Sequence, residues 1–363
     1  MLVTAVEARP LRSLENARVE PAPGITSLIG PNGAGKTNFL EALYFGLTGR
    51  SFRTADRREL IPFGGSLARA EVMVHDGDVA RHRFLASVSR AEGRRHLLDG
   101  SPAEAATAAR HRPPVAVFSP DRLTLVKGPP AERRSHLDLY VAARWPSRTE
   151  LRRRYSQALA QRNALLSRVA AGHTAAAELD VWDATVAEAA APLIAARREA
   201  AEELAAPFAT AALDLGLDGV AALSYAPRAD GSAEELRAGL EERRNADLKL
   251  GRGSWGPHLD DLKLSIDGKA LRRYGSQGQQ RMALLALLFA ERDSLLAARR
   301  VAPLLLLDDV MSELDPSRRE RLVERLRSDG QTLITAADES SVPAAAREAT
   351  VRIGPCTPLQ AAA

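Results

Sequence analysis

Residues Gly30-Pro31-Asn32-Gly33-Ala34-Gly35-Lys36-Thr37 match the pattern Gly-x-x-x-x-Gly-Lys-Ser/Thr. The apolar run Ile25–Gly30 precedes them, and Asn38–Leu47 follows with apolar residues at helical spacing. A strand, a glycine-rich turn and a helix in that order commit the chain to an α/β fold. Glycines let the backbone wrap a phosphate, so several N–H groups converge on it with a helix N-terminus behind them. The stretch Gly30 to Asn38 is therefore expected to cradle the phosphates of ATP. In that cradle Lys36 bridges the β- and γ-phosphates, and the Thr37 hydroxyl is suited to ligate Mg²⁺.

A second motif lies far downstream. The apolar run Ala302–Leu307 ends in Asp308-Asp309. A buried strand ending in carboxylates is expected to set Asp308 beside the metal and Asp309 where a catalytic carboxylate orients water. Asp is one methylene shorter than Glu, so slow hydrolysis is expected. Lys36 and Asp308 stand 272 positions apart, whereas a crossover between parallel strands needs only about a dozen residues. The fold must be split by an insertion. The stretch from about Glu132 to Leu213 supplies it, rich in Ala, Leu, Arg and Glu, all good helix formers. Its apolar stripes are Leu151, Tyr155, Leu159, Leu166 and Val169, then Leu179, Trp182, Val186, Ala189 and Leu193, punctuated by Gly172 and Pro192. Elsewhere the pattern predicts strands at Arg69–Val74 and Arg83–Val88 around a turn at Asp76–Gly77. It also predicts strands at Val115–Phe118 and Leu262–Ile266, and a final core strand at Thr332–Ala336.

Between the two motifs, Ser276-Gln277-Gly278-Gln279 opens a helix and offers a second anion-binding N-terminus, this one without a lysine. One chain cannot easily aim two helix ends at one triphosphate from opposite sides. Two chains can, so an ATP-dependent homodimer is expected.

Composition limits the remaining classes. The longest apolar runs fall short of the ~20 residues of a membrane helix. The start MLVTAVEARPLRS lacks a secretory core, and a cytoplasmic, membrane-free protein is expected. The single cysteine, Cys356, excludes an internal disulfide framework and a multi-cysteine zinc site. The net charge of +4 is weak evidence for nucleic acid, but residues 1–125 carry 17 basic and 13 acidic residues and so hold the excess. Arg50, Arg53, Arg57 and Arg58 cluster there and are the expected DNA contacts. A second cluster is Arg144, Arg148, Arg152, Arg153 and Arg154. Aromatic residues are scarce around both, which favours backbone contacts to duplex over base stacking.

Six stretches together carry a resemblance: NGAGKTNFLEALYFGLTGRSFRT (32–54), LVKGPPAERRSHLD (125–138), QRNALL (161–166), GPHLDDLKLSIDG (256–268), SQGQQR (276–281) and LLLLDDVMSELD (304–315). The set resembles the ABC-type ATPase heads of the SMC family, and its detailed wording is similar to the RecF family of bacterial recombination mediators. The resemblance implies a P-loop ABC/SMC-type ATPase head with an inserted helical arm. Its expected segments are 1–125 (P-loop lobe), 126–250 (helical arm) and 251–358 (signature, carboxylate pair and D-loop). It implies that Ser276, Gly278 and Gln279 contact the γ-phosphate of the partner subunit's ATP, that Asp315 is the D-loop acid, and that Thr335 lies in the switch region. It also implies DNA as ligand, at duplex gaps or junctions, and RecO, RecR and RecA as partners, with a slow, DNA-stimulated ATPase acting as a switch in loading recombinase.

Two departures stand out. Residues 1–156 contain no glutamine, so the Q-loop ligand is missing and Asp121 or a water must substitute. Leu259 stands at a usually basic position, whose role would pass to Arg272 or Arg273. Trp255, His258, Arg133 and Arg134 are expected to be structural. A transporter-type ATPase fits less well, given the missing glutamine, the insertion and the wording SQGQ. A small-molecule kinase would need neither the SQGQ helix nor the D-loop, and an SMC-type chromosome-structure protein would need longer arms.

Overall fold

Ile25–Ile29 is buried along its whole length because it lies inside a parallel sheet. The strand order is Thr350–Arg352, Ile25–Ile29, Thr332–Ala336, Leu304–Leu307, Val115–Phe118, and every neighbouring pair is parallel. Strands covered on both faces read as unbroken apolar runs, and parallel strands present all their C-terminal ends at one edge. Gly30, Asp308 and Ala337 therefore follow strands that open on the same edge. The computed structural model describes residues 1–77, 80–327 and 330–353, so Cys356 and the end of the 251–358 segment lie outside the described residues.

Thr332–Ala336 is not the last strand of the core. Thr350–Arg352 pairs beyond it, against Ile25–Ile29, and three residues are too few to show a periodicity. The following Ile353 carbonyl lies where a Cβ on Gly30 would be, at 2.1 Å, so only glycine fits at the start of the loop.

A six-stranded antiparallel sheet faces the helix Lys36–Thr48. Its order is Ala17–Val19, Leu2–Ala8, Leu67–Asp76, Ala80–Ser89, Gly93–Leu98, Ser101–Pro102. The expected hairpin is present with longer strands, running from Leu67 opposite Ser89 to Asp76 opposite Ala80. Gly46 lets the helix settle on this sheet, since a Cβ there would meet Val72 at 2.5 Å.

These elements form one unit, made of Met1–Leu123, Asp214–Gly216 and the chain from Arg292 onward. A second unit comprises Thr124–Leu213 and Leu217–Glu291. The division is twofold where three segments were expected. Its reason is a strand that the helical reading of 126–250 missed: Ala221–Ala226 pairs antiparallel with Asp261–Ile266. That pairing crosses position 250, so the 256–268 stretch and the Ser276 helix start belong to the same unit as the helical arm. Pro192 also does not end a helix, because Leu179–Asp214 runs through both Pro192 and Pro207.

The second unit is clamped by buried charge. Arg162, wholly buried, donates to Asp183 at 2.6 Å and Asp247 at 2.7 Å. Arg197 joins Asp138 at 2.8 Å to Asp260 at 3.0 Å. Arg133 grips Asp261 at 2.7 and 3.1 Å, and Arg134 donates to the Asp260 carbonyl. Desolvating such ions is costly, and removing one partner of a buried pair costs about 3–5 kcal/mol, so their positions are strongly specified. His258 bonds the Tyr155 hydroxyl at 2.6 Å and the Gly253 carbonyl at 3.1 Å. Trp255 fills the space left by Gly239 and carries Arg243 over its ring. All four residues expected to be structural are so engaged.

Candidate nucleotide-binding site

The loop Gly30–Gly35 enters its helix through an uncovered N-terminus. Gly35 is the N-cap, with φ of 95° and no side chain to accept from the first-turn amides. Gly33 also sits at positive φ, 85°. An α-helix leaves its first amides without internal partners, and here they face the loop rather than a cap. Lys36 folds back over this cradle. Its Nζ donates to the carbonyls of Gly30 at 2.5 Å and Pro31 at 3.0 Å. Burial lowers the Lys36 pKa, and the charges of Asp309 and Asp308 oppose that shift.

The two distant motifs meet directly. Thr37 Oγ1 donates towards both oxygens of Asp308, each at 2.9 Å. Thr335 Oγ1 donates to Asp308 Oδ1 at 2.8 Å and accepts the Asp309 N–H at 2.8 Å. Thr335 thus holds the acid pair in place, a role the switch-region expectation did not include. Asp309 has φ of 50°, a left-handed backbone that costs a non-glycine residue about 1–2 kcal/mol. The hydrogen bond to Thr335 helps keep it there.

Burial raises the Asp308 pKa. The bonds from Thr335 and Thr37 oppose the rise, the charge of Asp309 adds to it, and Arg53 opposes it. A raised carboxyl pKa means that the folded chain prefers Asp308 protonated. The cost of ionising it is therefore present at neutral pH and disappears as pH falls below the unfolded-state value. Asp308→Asn should therefore raise the melting temperature of the nucleotide-free chain at neutral pH, because the amide carries no charge to desolvate. That gain should vanish in acid. A melting temperature unchanged or lower at neutral pH would contradict it.

One member of the site escaped the sequence reading. Glu41 is wholly buried in the second turn of the helix, bound by Arg12 at 2.5 and 3.0 Å and by the Ser51 hydroxyl at 2.5 Å. Arg53 reaches Glu41 at 3.5 Å and Asn38 at 3.1 Å, and Asn38 donates to Ser13 at 2.8 Å. The available signal was an acid set inside the apolar run FLEALYF.

The expected DNA contacts separate into two kinds. Arg50, Arg53 and Arg58 are exposed and Arg57 is half-buried. Arg53 is held by Glu41 and Asn38, and Arg57 donates to the Gly49 carbonyl at 2.8 Å. In the other cluster Arg144 pairs with Glu203, Arg148 with Glu199, Arg152 with Asp138, and Arg153 with Glu150. Asp121 lies in the turn Pro120–Leu123 that follows a core strand. Leu259, Arg272 and Arg273 are exposed.

Ser276 and Gln279 make a reciprocal cap. The Ser276 hydroxyl accepts the Gln279 N–H at 3.2 Å, and the Gln279 carbonyl oxygen accepts the Ser276 N–H at 2.9 Å. Gly278 lies exposed between them. This half-site belongs to the second unit, whereas Asp315 belongs to the first. Asp315 caps the helix Pro316–Leu326, accepting from Arg318 N–H at 3.0 Å and Ser317 Oγ at 2.8 Å. Those bonds lower its pKa.

Comparison with known proteins agrees with this arrangement. The model of the RecF/RecN/SMC N-terminal domain family matches residues 2–355. A protein named DNA replication and repair protein RecF, from Anaeromyxobacter sp. (strain Fw109-5), is 37% identical over 357 residues, covering 95% of each chain. The chain belongs to the RecF family. A RecF from Desulforudis audaxviator is 36% identical, covering 92% of this chain and 94% of that one. The solved structure of the recombination mediator RecF-ATP, of the RecFOR pathway, superposes with a TM-score of 0.89 at 26% identity, covering 99% and 97% of the two chains. An SMC head bound to part of ScpA shares the fold, with a TM-score of 0.57 at 16% identity. The ABC/SMC-type head is thus the fold, and DNA replication and repair is the function of the family. Among the described residues no helix is long and apolar enough to cross a membrane, and no cluster of three or more His, Cys, Asp or Glu is arranged to hold a metal.

Proposed function

We propose that this RecF-family chain is an ATP-driven dimerisation switch that holds duplex DNA at gaps or junctions and helps load recombinase. The observation that carries the reading is the bond between Thr37 and Asp308, residues 271 positions apart, at the mouth of an uncapped helix. The cradle Gly30–Asn38 would hold the phosphates of ATP, the nucleotide named with the solved relative RecF-ATP. Lys36 would exchange two backbone carbonyls for the β- and γ-phosphates.

Thr37 and Asp308 offer only oxygen atoms, the donor set that Mg²⁺ prefers, and the bound ion would neutralise charge between β- and γ-phosphates. Asp309, aimed by the Thr335 bond to its N–H, would orient the attacking water. Ser276, Gly278 and Gln279, with Asp315, would complete the site of a second copy. Arg50, Arg53 and Arg58 are the exposed members of the expected DNA contact, with the half-buried Arg57 beside them. RecO, RecR and RecA in the cytoplasm are the partners that this reading implies.

Sedimentation of the full chain with and without ATP and Mg²⁺ tests the switch. The expected result is a shift from monomer to dimer with ATP, reversed as ATP is consumed. An equal monomer fraction in both would overturn it. Turnover should be slow and should rise with duplex or gapped DNA; a rate indifferent to every DNA would point to another class of ATPase.

A further inference from the structure

The helix Lys36–Thr48 ends at Gly49, at φ of 64°, and has no basic residue in its last turn. Basic side chains from elsewhere gather around that end. Arg57 Nε donates to the Gly49 carbonyl at 2.8 Å. The His96 ring bonds the Gly46 carbonyl at 3.2 Å and packs on Gly49, where a Cβ would lie 3.1 Å away. Arg94 shares the face of His96, because residues two apart on the strand Gly93–Leu98 point the same way. Among the described residues Arg112 reaches only the Pro113 carbonyl, at 3.3 Å, and its Nε is sealed from solvent with no hydrogen-bond partner.

These cations repel one another. Burial lowers the pKa of Arg57, with Arg94 and Arg50 adding to the effect. Burial lowers that of Arg112 too, with Arg50 adding, and lowers that of His96 with Arg112 adding. Elsewhere in the unit Arg12, Arg53 and Arg83 each hold a carboxylate. Among the described residues, none of Arg50, Arg57, Arg94 and Arg112 has one within ion-pair distance. A helix C-terminus supplies only about half a negative charge. Four guanidinium groups therefore remain largely uncompensated.

We propose that this cluster, with Arg50 and Arg94 exposed and Arg57 and Arg112 adding charge beneath them, binds phosphates of the duplex DNA backbone. It rests on the DNA-binding reading above and names the site. Guanidinium forks match phosphate oxygens, and such contacts carry no sequence information. No large hydrophobic residue is exposed between positions 50 and 58 or between 94 and 112. An acidic protein would find charge there without the apolar centre that protein interfaces use.

The test is binding of a fluorescein-labelled duplex to the full chain with ATP, at salt from about 50 to about 200 mM, where each phosphate contact adds about 0.9 to the log–log slope. Arg94→Gln should lower the slope by about 1, and Arg94→Gln with Arg50→Gln by about 2, equally for two unrelated duplex sequences. Arg237→Gln, exposed and paired with Glu241, should leave the slope unchanged. Arg94 is exposed, so its single variant keeps the test valid if the double variant does not fold. Wild-type slopes in folded variants would overturn the cluster, including in favour of a protein ligand. A wild-type chain that ignores duplex altogether would overturn the DNA-binding reading instead.

Discussion

Lys36→Met should reduce ATP affinity at least ~100-fold while leaving the chain folded. The size follows from losing charge-assisted bonds to two phosphates, about 3 kcal/mol or more, with 1.4 kcal/mol for each tenfold. The fold should survive because Met matches the aliphatic length of Lys. Burial already penalises the Lys36 charge, so removing that charge relieves a cost. Against this stand two bonds, to the carbonyls of Gly30 and Pro31, which open to the loop once the ammonium is gone. The two effects oppose each other, and the melting temperature of the nucleotide-free chain should change little. Calorimetric titration with ATP, beside a melting curve, measures both. Affinity within threefold of wild type would show that the loop does not hold phosphate as proposed.

The second large effect is expected at the other half-site. Ser276→Arg should keep ATP binding near wild type and abolish ATP-dependent dimerisation. Ser276 is exposed at the start of the helix Gln277–Arg299, beside the bare Gly278, and the proposed dimer sets this surface against the partner's γ-phosphate. A long side chain there blocks the approach. It also removes the reciprocal cap with Gln279, worth about 1 kcal/mol. Ser276→Ala separates the two causes, because it loses the cap and keeps the space. Ala should melt lower and still dimerise, though more weakly; Arg should melt similarly and stay monomeric at saturating ATP. Dimerisation of the Arg variant at wild-type ATP concentrations would remove this helix start from the interface.

Much of the site was legible because its chemistry is written in contiguous residues. Gly33 and Gly35 adopt positive φ as a phosphate-wrapping loop requires, and Asp308-Asp309 ends a buried strand. The arginine cluster after the helix was less legible. Arg53 looked like a free neighbour of Arg50 in a basic run, yet, while exposed, it is tied to Glu41, an acid twelve positions earlier. Arg94 and Arg112, which share the helix end with Arg50 and Arg57, come from a strand and a loop that no local pattern connects to it. Pro192 misled for a related reason. The packing of a 36-residue helix outweighs the hydrogen bond that one proline forfeits.

Local chemistry was enough to predict a glycine-rich loop between a strand and a helix, a carboxylate pair at the end of another strand, and a long insertion between them. Those features depend on backbone freedom, burial and residue type within a few positions. Pairing across long separations decided the rest. It inserted Thr332–Ala336 between the two motif strands, so that one hydroxyl, Thr335, holds both acids. It also put Ala221–Ala226 beside Asp261–Ile266, drawing the Ser276 half-site into the unit of the arm. Strand order is set by which apolar faces bury each other, and that energy belongs to residues hundreds of positions apart.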